Sequence, residues 1–488
     1  MKIVGKGLTY DDVLLVPQKS QIRSRSSVNT STNLTRKIKL AIPYISSNVD
    51  TVTESEMAIA MAKMGGIGII HRFMTIERQI YEVDKTKRSE GFIMGNPLAL
   101  LPNSTLGEAR FAMRERSVSS FIVVDEKQHV LGLVSDRDIL FERDETKKVT
   151  ELMTPREKLI MARPSVTLDE ARAIFKKYKI EKLPLVKNGG TLLGLITART
   201  VVNEERFPQA TQDEKGRLCV GAAVGVVGDY MERAAELVKV GVDILVVDIA
   251  HVHSIHGMTA VKTIRRKFPK VGLIGGNIAT SEGARDLIRL GCDGLKVGIG
   301  PGGICITRMV AGAGVPQLTA IMECAKVAQK AGVPVIADGG TNYPGDMTKA
   351  LAAGASTVML TGWLAGTDES PGAVIIHNGQ KVKVHRGAAS FSAVAARKIA
   401  GVAGQMRKEL AEADLDDELE KVVPEGVETF VPYKGEAKDV IQQLVGALKS
   451  GMSYANARSI RELWRNARFM EISAAGFRES KAHNVKEI

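Results

Sequence analysis

One cysteine of this 488-residue chain lies in a glycine-rich run, residues 298–308, directly after a short apolar stretch, 294–297. Glycines let backbone amides approach a bound anion closely and accept the positive φ of a tight turn. A cysteine in such a loop, Cys305, is therefore placed to attack a ligand that the loop holds. The alternative is a turn between a strand and a helix that carries an incidental thiol. The loop alone leaves both interpretations open.

Polar or glycine residues follow five apolar stretches in the second half of the chain: Asp248, Asn277, Gly298, Asp338 and Gly362. Apolar stretches that alternate with helix-length segments predict βα units of an α/β fold with a parallel sheet. Together with two earlier stretches, 12–17 and 65–71, they approach the eight strands of a (β/α)8 TIM barrel, which builds its active site at the carboxyl ends of its strands. A doubly wound sheet is the alternative fold.

Residues 93–203 contain an internal repeat with an offset of 62 residues: 105–110 returns as 167–172, and 132–135 returns as 194–197. Each copy predicts a capped helix, an apolar strand, a turn and a second strand, so whole units repeat. The pair resembles a tandem CBS (Bateman) domain. The predicted segments are 1–92 as the first part of the barrel, 93–203 as the tandem CBS domain and 204–488 as the second part of the barrel.

The composition is typical of a soluble globular protein, with 44% hydrophobic and 25% charged residues. The net charge of +12 is spread without a long run of like charges, which suits anionic small molecules such as nucleotides. Aromatic residues make up only 5%, which argues against a platform for nucleic-acid bases. Four cysteines without CxxC spacing argue against zinc and thioredoxin-type sites. Without a secretory signal or a membrane-length apolar run, we expect a cytoplasmic protein with reduced thiols and no membrane partner.

Three histidines, His251, His253 and His256, lie close together in the sequence. Clustered histidines can hold a transition metal, but no carboxylate or thiol with ligand spacing joins these three. We therefore expect no transition-metal site at this segment.

Several motifs, in order along almost the whole chain, resemble those of the IMP dehydrogenase/GMP reductase family, including its CBS insertion. The matching segments are 50–54, 248–251, 276–280, 298–308, 338–340, 423–426 and 474–480. One such motif would be weak, but the complete ordered set is specific. The resemblance implies a barrel enzyme that acts on purine nucleotides with a nicotinamide cofactor.

The resemblance also implies roles for individual residues. Cys305 would attack C2 of a purine nucleotide to form a covalent thioimidate, and hydride would pass between C2 and the nicotinamide. The positions that would hold the nucleotide are Gly303, Asp338, Gly340, Gly362 and Gly387. Those that would lie at the cofactor are Asp248, Asn277, Gly298 and Gly300. Asp248 and Asp338 could instead cap the helices that follow them.

The family carries out two reactions through one covalent adduct. IMP dehydrogenase oxidises IMP with NAD+ and hydrolyses the adduct to XMP, whereas GMP reductase releases ammonia from GMP and reduces the adduct with NADPH to IMP. The dehydrogenases activate water with an arginine–tyrosine pair on a mobile flap. Here the flap segment between Ser390 and Pro424 contains no tyrosine, and its arginines are Arg397 and Arg407. Since a general base contributes about 10²–10⁴-fold, its absence favours GMP reductase.

Other motifs divide between the two enzymes. Stretches 363–372 and 389–397 resemble CBS-bearing GMP reductases, and Thr307 and Glu425 match the pair that releases ammonia, although Thr307 could simply begin a helix. Both residue types also occur in the dehydrogenases. Stretches 248–254, 431–435 and 474–483 resemble bacterial IMP dehydrogenases, with Val252 where glycine is usual. GMP reductase with NADPH is the preferred interpretation, IMP dehydrogenase with NAD the first alternative and a non-catalytic purine nucleotide sensor the second.

The resemblance implies further ligands and partners. A potassium ion would be held by Gly300, Gly302 and Cys305, together with the Glu479 and Ser480 positions of a neighbouring subunit. Regulatory nucleotides would bind the first CBS copy at Ser135 and Asp138, whereas the second copy has Thr200 in place of the acid. The CBS modules could alternatively serve only for assembly. A homotetramer, or an octamer formed through these modules, is expected.

Overall fold

The computed structural model describes residues 3–89, 94–95, 97–116, 118–187, 189–395 and 423–482. The chain divides into two compact units. The first, the barrel unit, comprises Met1–Lys87, Gln209–Thr211 and Cys219–Ile488, and the second, the inserted unit, comprises Arg88–Pro208 and Gln212–Leu218. Among the helices in these ranges, none combines the length and the apolar character needed to cross a membrane.

The described strands are short, as in most βα proteins. In chain order they are β1 (Val13–Leu15), β2 (Thr32–Asn33), β3 (Lys39–Leu40), β4 (Tyr44–Ser46), β5 (Ile67–Ile70), β6 (Met94–Gly95), β7 (Ala99–Leu100), β8 (Ser120–Val124), β9 (Val130–Ser135), β10 (Thr154–Pro155), β11 (Lys182–Val186), β12 (Leu192–Thr197), β13 (Val220–Val224), β14 (Ile244–Asp248), β15 (Gly272–Ile278), β16 (Gly294–Val297), β17 (Val335–Asp338), β18 (Thr357–Leu360), β19 (Ile375–His377), β20 (Gln380–Arg386), β21 (Glu428–Pro432) and β22 (Phe469–Glu471).

The described α-helices alternate with the strands over most of the chain. They are α1 (Ser55–Lys63), α2 (Ile76–Ser89), α3 (Leu106–Arg116), α4 (Asp136–Ile139), α5 (Val149–Leu152), α6 (Leu168–Tyr178), α7 (Ala198–Arg206), α8 (Tyr230–Lys239), α9 (Ile255–Lys267), α10 (Ser281–Arg289), α11 (Thr307–Val310), α12 (Gln317–Ala328), α13 (Pro344–Ala352), α14 (Ala437–Tyr454), α15 (Ile460–Asn466) and α16 (Ala474–Glu479).

Eight parallel strands close into a barrel in the order β13-β14-β15-β16-β17-β18-β4-β5. The closure confirms the predicted (β/α)8 fold and rules out the doubly wound alternative, whose sheet has two open edges. Strands β4 and β5 precede the inserted unit in the chain, and β13 to β18 follow it. The pairing of β18 with β4, and of β5 with β13, closes the barrel between these two parts of the chain. Strand carboxyl ends therefore meet on one face, where the polar residues predicted from the sequence are placed.

One predicted barrel strand is wrong. The apolar stretch 12–17 contributes β1, which pairs antiparallel with β22 and lies outside the barrel. The first barrel strand is β4, in which all three residues are buried, whereas only Val13 of β1 is buried. Apolar character alone does not distinguish a strand with one buried side from one enclosed on both.

Alternate residues of the barrel strands face two different cores. Ile244 and Val246 of β14 belong to an apolar cluster inside the barrel, with Ile274 of the next strand. Leu245 and Val247, which point the other way, belong to the larger cluster between strands and helices. This alternation follows from the two-residue period of a strand, and it fixes which side chains can reach the barrel interior.

The inserted unit contains two sheets, β10-β9-β8-β7 and β11-β12-β6. Its two halves repeat the order helix, strand, strand, helix, as the sequence repeat predicts. The repeated hexapeptide has a local structural reason: Thr167 and Glu170 exchange side-chain and backbone hydrogen bonds as a capping box at the start of α6. Thr105 and Glu108 make the same pair of bonds before α3.

Strands β19, β20 and β21, which follow the last barrel strand β18 in the sequence, form a separate antiparallel sheet. Arg386, the last residue of β20, is paired with Glu428, the first residue of β21. The segments that follow β20 and precede β21 are therefore brought together. Residues 396–422, which include Arg397 and Arg407, lie outside the described residues.

Candidate active site

Cys305 lies in the loop between β16 and α11 and has a partly exposed side chain. The other three cysteines, Cys219, Cys292 and Cys324, are buried. Burial raises the pKa of the Cys292 and Cys324 thiols to about 12, which keeps them protonated and unreactive at neutral pH. Cys305 is therefore the thiol that can attack a ligand.

Thr307 links Cys305 to Glu425 through its hydroxyl group. The hydroxyl oxygen lies 3.2 Å from Cys305 Sγ, and the hydroxyl donates a hydrogen bond of 2.7 Å to Glu425 Oε2. Because that proton is committed to the carboxylate, the oxygen is left to accept a bond from the thiol. The three groups form a path along which a proton can move between the sulfur and the carboxylate.

The Glu425 carboxylate is positioned by backbone contacts with the cysteine loop. The carbonyl of Glu425 accepts the amide of Ile306 at 2.8 Å, and the amide of Val427 donates to the carbonyl of Ile304 at 3.0 Å. An isolated antiparallel bridge joins Cys305 to this segment. The residues at 425–427 thus pair with the cysteine loop as a short ladder, which fixes the distance between the thiol and the carboxylate.

Gly387 allows a third segment to approach the same loop. A Cβ at this position would lie 3.1 Å from the carbonyl oxygen of Ile304 and 3.2 Å from Cα of Gly426. The amide of Gly387 donates to the carbonyl of Val427 at 3.0 Å. The structure therefore brings Gly387, Cys305, Thr307 and Glu425 together, as their predicted roles require.

The glycines that precede Cys305 have conformations that other residues rarely adopt. Gly298 and Gly300 have φ values of 149° and 79°. A Cβ at Gly298 would lie 2.1 Å from the carbonyl oxygen of Asp338, and one at Gly300 would lie 2.6 Å from the Arg308 side chain. These glycines let the loop pass directly against the end of β17.

Gly303 and Gly362 have open space around them. Both are exposed, and a Cβ built on either would meet no atom within 4 Å. Gly340 has a φ of 84° and packs against Pro301 of the cysteine loop, with a Cβ distance of 3.3 Å. Gly362 is followed by Trp363, whose indole nitrogen donates to the Thr341 carbonyl at 3.2 Å. The two open glycines leave room for a ligand beside the loops that carry Cys305 and Gly340.

Asp248, Asn277 and Asp338 meet at the side chain of Lys296, which lies on the strand between them. The Lys296 Nζ is 2.6 Å from Asp248 Oδ1 and 2.7 Å from Asp338 Oδ2, and it also donates to Asn277 Oδ1. Asn277 Nδ2 donates to Asp338 Oδ2 at 2.9 Å. Lys296 was not predicted from the sequence, although a lysine within the apolar stretch 294–297 was the available signal.

Two further side chains at the site were missed. Arg386 donates to the Asp50 carboxylate from two nitrogens, with Nε at 2.8 Å, and to Ser392 Oγ at 2.9 Å. His385 places Nδ1 2.9 Å from Thr51 Oγ1. Burial, together with a nearby lysine, lowers the pKa of His385 to about 4, so its ring is neutral at pH 7. These contacts fix the end of β20 to the residues that follow β4.

The residues proposed for potassium are only partly brought together. Gly300, Gly302 and Cys305 share one loop, in which the Gly302 carbonyl accepts the Cys305 amide at 3.0 Å. Glu479 and Ser480 lie at the end of α16, and within the described residues no hydrogen bond or ion pair joins them to that loop. Potassium binding stays a prediction.

Ser135 and Asp138 lie in the inserted unit and bond to each other. Asp138 Oδ2 accepts the Ser135 amide and hydroxyl, both at 2.7 Å, which caps helix α4. In the second half Thr197 and Thr200 are joined through their hydroxyls at 2.7 Å. The pair therefore has a structural role, and nucleotide binding there stays a prediction.

Among the three histidines predicted not to form a metal site, the rings of His251 and His253 have centroids 6.2 Å apart. His253 Nε2 lies 3.0 Å from Asp286 Oδ2 on α10. Val252, at the position where glycine is usual, is fully buried in the core between strands and helices. Its side chain therefore packs inside the protein and does not fill the open face of the barrel.

The known proteins that this chain resembles include both IMP dehydrogenases and GMP reductases. Inosine-5'-monophosphate dehydrogenase of Nitrosopumilus maritimus is 48% identical, covering 98% of both chains. GMP reductase of Leishmania donovani is 47% identical, covering 99% of this chain and 98% of the relative. A crystal structure of a cysteine-to-alanine variant of Trypanosoma brucei GMP reductase in complex with guanosine 5'-monophosphate superposes with a TM-score of 0.89, at 45% identity over 99% of both chains. A family model described as IMP dehydrogenase / GMP reductase domain matches residues 7–483, and the chain accordingly belongs to this family of NAD(P)-dependent oxidoreductases.

Proposed function

We propose that this protein is a GMP reductase, which converts GMP to IMP and ammonia with NADPH as reductant. The observation that carries the proposal is the composition of residues 391–423, which contain no tyrosine to act with an arginine in activating water. Without a base for water, hydrolysis of a covalent adduct loses a factor of about 10²–10⁴. The Thr307–Glu425 hydrogen bond of 2.7 Å, in contrast, is suited to protonating a leaving amine.

The proposed reaction begins with the thiol of Cys305. As Sγ bonds to C2 of GMP, the thiol proton passes to Glu425 through the Thr307 hydroxyl, along contacts of 3.2 and 2.7 Å. Glu425 returns a proton by the same path to the exocyclic amine, which departs as ammonia and leaves the purine joined to sulfur as a thioimidate. After C2 has been reduced, the C–S bond breaks, its electron pair returns to sulfur and IMP is released.

The nucleotide would be held by the loops that surround Cys305. Asp338 presents a carboxylate that can accept hydrogen bonds from the ribose hydroxyls. The exposed backbone at Gly303 and Gly362 can approach a phosphate closely, since neither residue has a side chain and nothing else fills the space beside them. Gly340 and Gly387 allow the neighbouring loops to pack against the cysteine loop.

Asp248 and the residues near it fit a nicotinamide nucleoside. Burial alone would raise the pKa of Asp248, but the Lys296 ammonium outweighs it and lowers the pKa below its ordinary value. An ionised carboxylate is an acceptor for two vicinal hydroxyls, and Asn277, Gly298 and Gly300 leave the adjacent backbone uncovered by large side chains. NADPH bound there would supply a hydride to C2 of the purine.

IMP dehydrogenase is the second candidate function. The identity of 48% with the Nitrosopumilus maritimus dehydrogenase favours it as strongly as the identity of 47% with the Leishmania donovani reductase favours the first. The Thr307–Glu425 pair is compatible with both reactions. The two reactions differ in one step: the dehydrogenase hydrolyses the adduct after hydride transfer, whereas the reductase releases ammonia before hydride transfer.

The deciding experiment follows the absorbance of the reduced cofactor in two mixtures of the purified protein. GMP with NADPH should give GMP-dependent oxidation of NADPH and one ammonium ion per IMP formed. IMP with NAD+ should give no sustained NADH formation, and formation of XMP at a comparable rate would overturn the proposal. Cys305→Ala should abolish turnover of either pair, and covalent labelling of Cys305 without any turnover would instead support a nucleotide sensor.

A further inference from the structure

Lys296 is a buried cation in the wall of the barrel. Its side chain is only 5% exposed, and its neighbours in β16, Leu295 and Val297, are fully buried. A lysine side chain is kept in such a place only when its charge is paired and its protons are bonded. The groups that accept hydrogen bonds from Lys296 therefore indicate the role of its charge.

The three protons of the ammonium group meet acceptors on three other strands. They are Asp248 at the end of β14, Asn277 in β15 and Asp338 at the end of β17. Asp248 Oδ2 is occupied by Asn48, whose amide donates to it at 2.8 Å. Two carboxylates from strands that are not neighbours thus share one cation.

The charges in this cluster depend on one another. Burial raises the pKa of Asp248, but the Lys296 ammonium lowers it below its ordinary value, so removal of that charge would raise the pKa of Asp248. The other groups that face the two carboxylates are Arg72, beside Asp248, and Tyr10, which faces Asp338 and whose pKa is raised by burial and then by the charges of Asp346 and Asp338. Neither replaces Lys296, because Arg72 donates to the Asp248 backbone carbonyl and Tyr10 is uncharged at neutral pH.

We propose that Lys296 is a positioning residue that couples the two binding sites, by holding the carboxylates of Asp248 and Asp338 at a fixed separation. The inference rests on the proposed function, which assigns Asp248 to the ribose of the cofactor and Asp338 to the ribose of the purine nucleotide. When a bound sugar draws one carboxylate toward it, the shared ammonium moves with that carboxylate. The bond between the ammonium and the other carboxylate changes as a result. Binding of one reactant thereby alters the affinity for the other, and the effect is reciprocal.

The test compares Lys296→Met, which removes the charge, with Lys296→Arg, which keeps it. Lys296→Met should raise the KM for both the nucleotide and the cofactor by about 10-fold, with a smaller change in kcat, and should abolish the dependence of one affinity on the other. Its kcat/KM profile should also lose activity at a higher pH on the acid side, because the pKa of Asp248 rises when the ammonium that lowers it is removed. Lys296→Arg should restore most of each effect.

A matched control is Lys87→Met. Lys87 is another buried lysine of the barrel unit, 2% exposed, and its Nζ lies 2.9 Å from Asp243. This variant should lower the thermal unfolding midpoint while leaving both KM values unchanged. If Lys296→Met does not fold, Lys296→Gln, which still donates hydrogen bonds but carries no charge, takes its place with the same expected result.

Equilibrium binding separates failure of this inference from failure of the proposed function. Titration calorimetry with pairs that cannot react, GMP with and without NADP+ or NAD+ and IMP with and without NADPH or NADH, measures the coupling whichever reaction the enzyme catalyses. A change in only one of the two affinities, or a Lys296→Arg variant as impaired as Lys296→Met, would show that Lys296 does not couple the sites. An enzyme that oxidises IMP but keeps the coupling would overturn only the proposed reaction.

Discussion

The hydroxyl of Thr307 donates a hydrogen bond of 2.7 Å to the carboxylate of Glu425, although 118 residues separate them in the chain. The two segments meet because residues 425–427 pair with the backbone of the cysteine loop. The proton path to Cys305 therefore exists only when the segment before β21 is docked on the barrel. The chemistry thus depends on two loops, and substitutions in either should affect the same step.

Replacing Glu425 with glutamine should slow release of ammonia. The amide of glutamine cannot carry the proton, so kcat for GMP-dependent NADPH oxidation should fall by about 10²–10⁴-fold. Ammonia release would then limit the rate, and the isotope effect from NADPH deuterated at the transferred hydrogen should fall toward unity. An isotope effect equal to that of the unaltered enzyme, with little loss of kcat, would contradict the assigned role.

Thr307 can be tested with a pair of substitutions that differ in one group. Thr307→Val keeps the shape but removes the hydroxyl, which breaks the path between Cys305 and Glu425, and kcat should fall by about 100-fold. Thr307→Ser keeps the hydroxyl and should retain kcat within about 3-fold. If Thr307 only begins α11, both variants would change the thermal unfolding midpoint and neither would change kcat.

Gly303 offers a substitution that adds a contact. The structure leaves open space around the position where a Cβ on Gly303 would be. Gly303→Ser should therefore fold normally and lower the KM for the nucleotide by about 5-fold, since a hydrogen bond to a charged phosphate is worth about 1 kcal/mol or more.

Gly345→Ser is the matched control for this change. Gly345 is also exposed with no atom within 4 Å of a built Cβ, but it lies in α13. The Gly345→Ser variant should leave the KM for the nucleotide unchanged. A KM for Gly303→Ser that is equal to or higher than that of the unaltered protein would show that the phosphate does not lie beside this residue.

The sequence predicted the barrel because its strands are apolar on both sides and end in polar residues. Asp248 and Asp338 were singled out for that reason, and they do lie at the ends of β14 and β17. It could not predict that β1 leaves the barrel, because three residues with one buried side look like a short barrel strand. The choice of edge or barrel pairing depends on contacts with β22, which is more than 450 residues away.

The sequence also could not show which polar residues meet. Lys296 was visible as a charge within an apolar stretch, but its partners come from three other strands and only closure of the barrel brings them together. Arg386 and Asp50 likewise form an ion pair across most of the chain. Long-range pairs of this kind depend on strand order and register, which local patterns do not specify.

The pH dependence of stability should carry a contribution from His385. Its side chain is 2% exposed, and burial, with the charge of Lys434 second, lowers its pKa from the ordinary 6.5 to about 4. The unfolded chain therefore takes up a proton near pH 6.5, whereas the folded protein resists protonation until about pH 4. The contribution of His385 is fully present above pH 6.5 and is lost as the pH falls to 4, by up to about 3 kcal/mol.

Comparison of the protein with His385→Asn isolates this contribution from that of the carboxylates that titrate in the same range. Asparagine can still bond to Thr51, whose Oγ1 lies 2.9 Å from the histidine Nδ1, but it takes up no proton. The difference between the two thermal unfolding midpoints should shrink steadily between pH 6.5 and 4. Because burial is the main cause of the lowered pKa, added salt should leave this trend in place. A difference that does not vary with pH would mean that His385 is protonated as readily in the folded protein as in the unfolded chain.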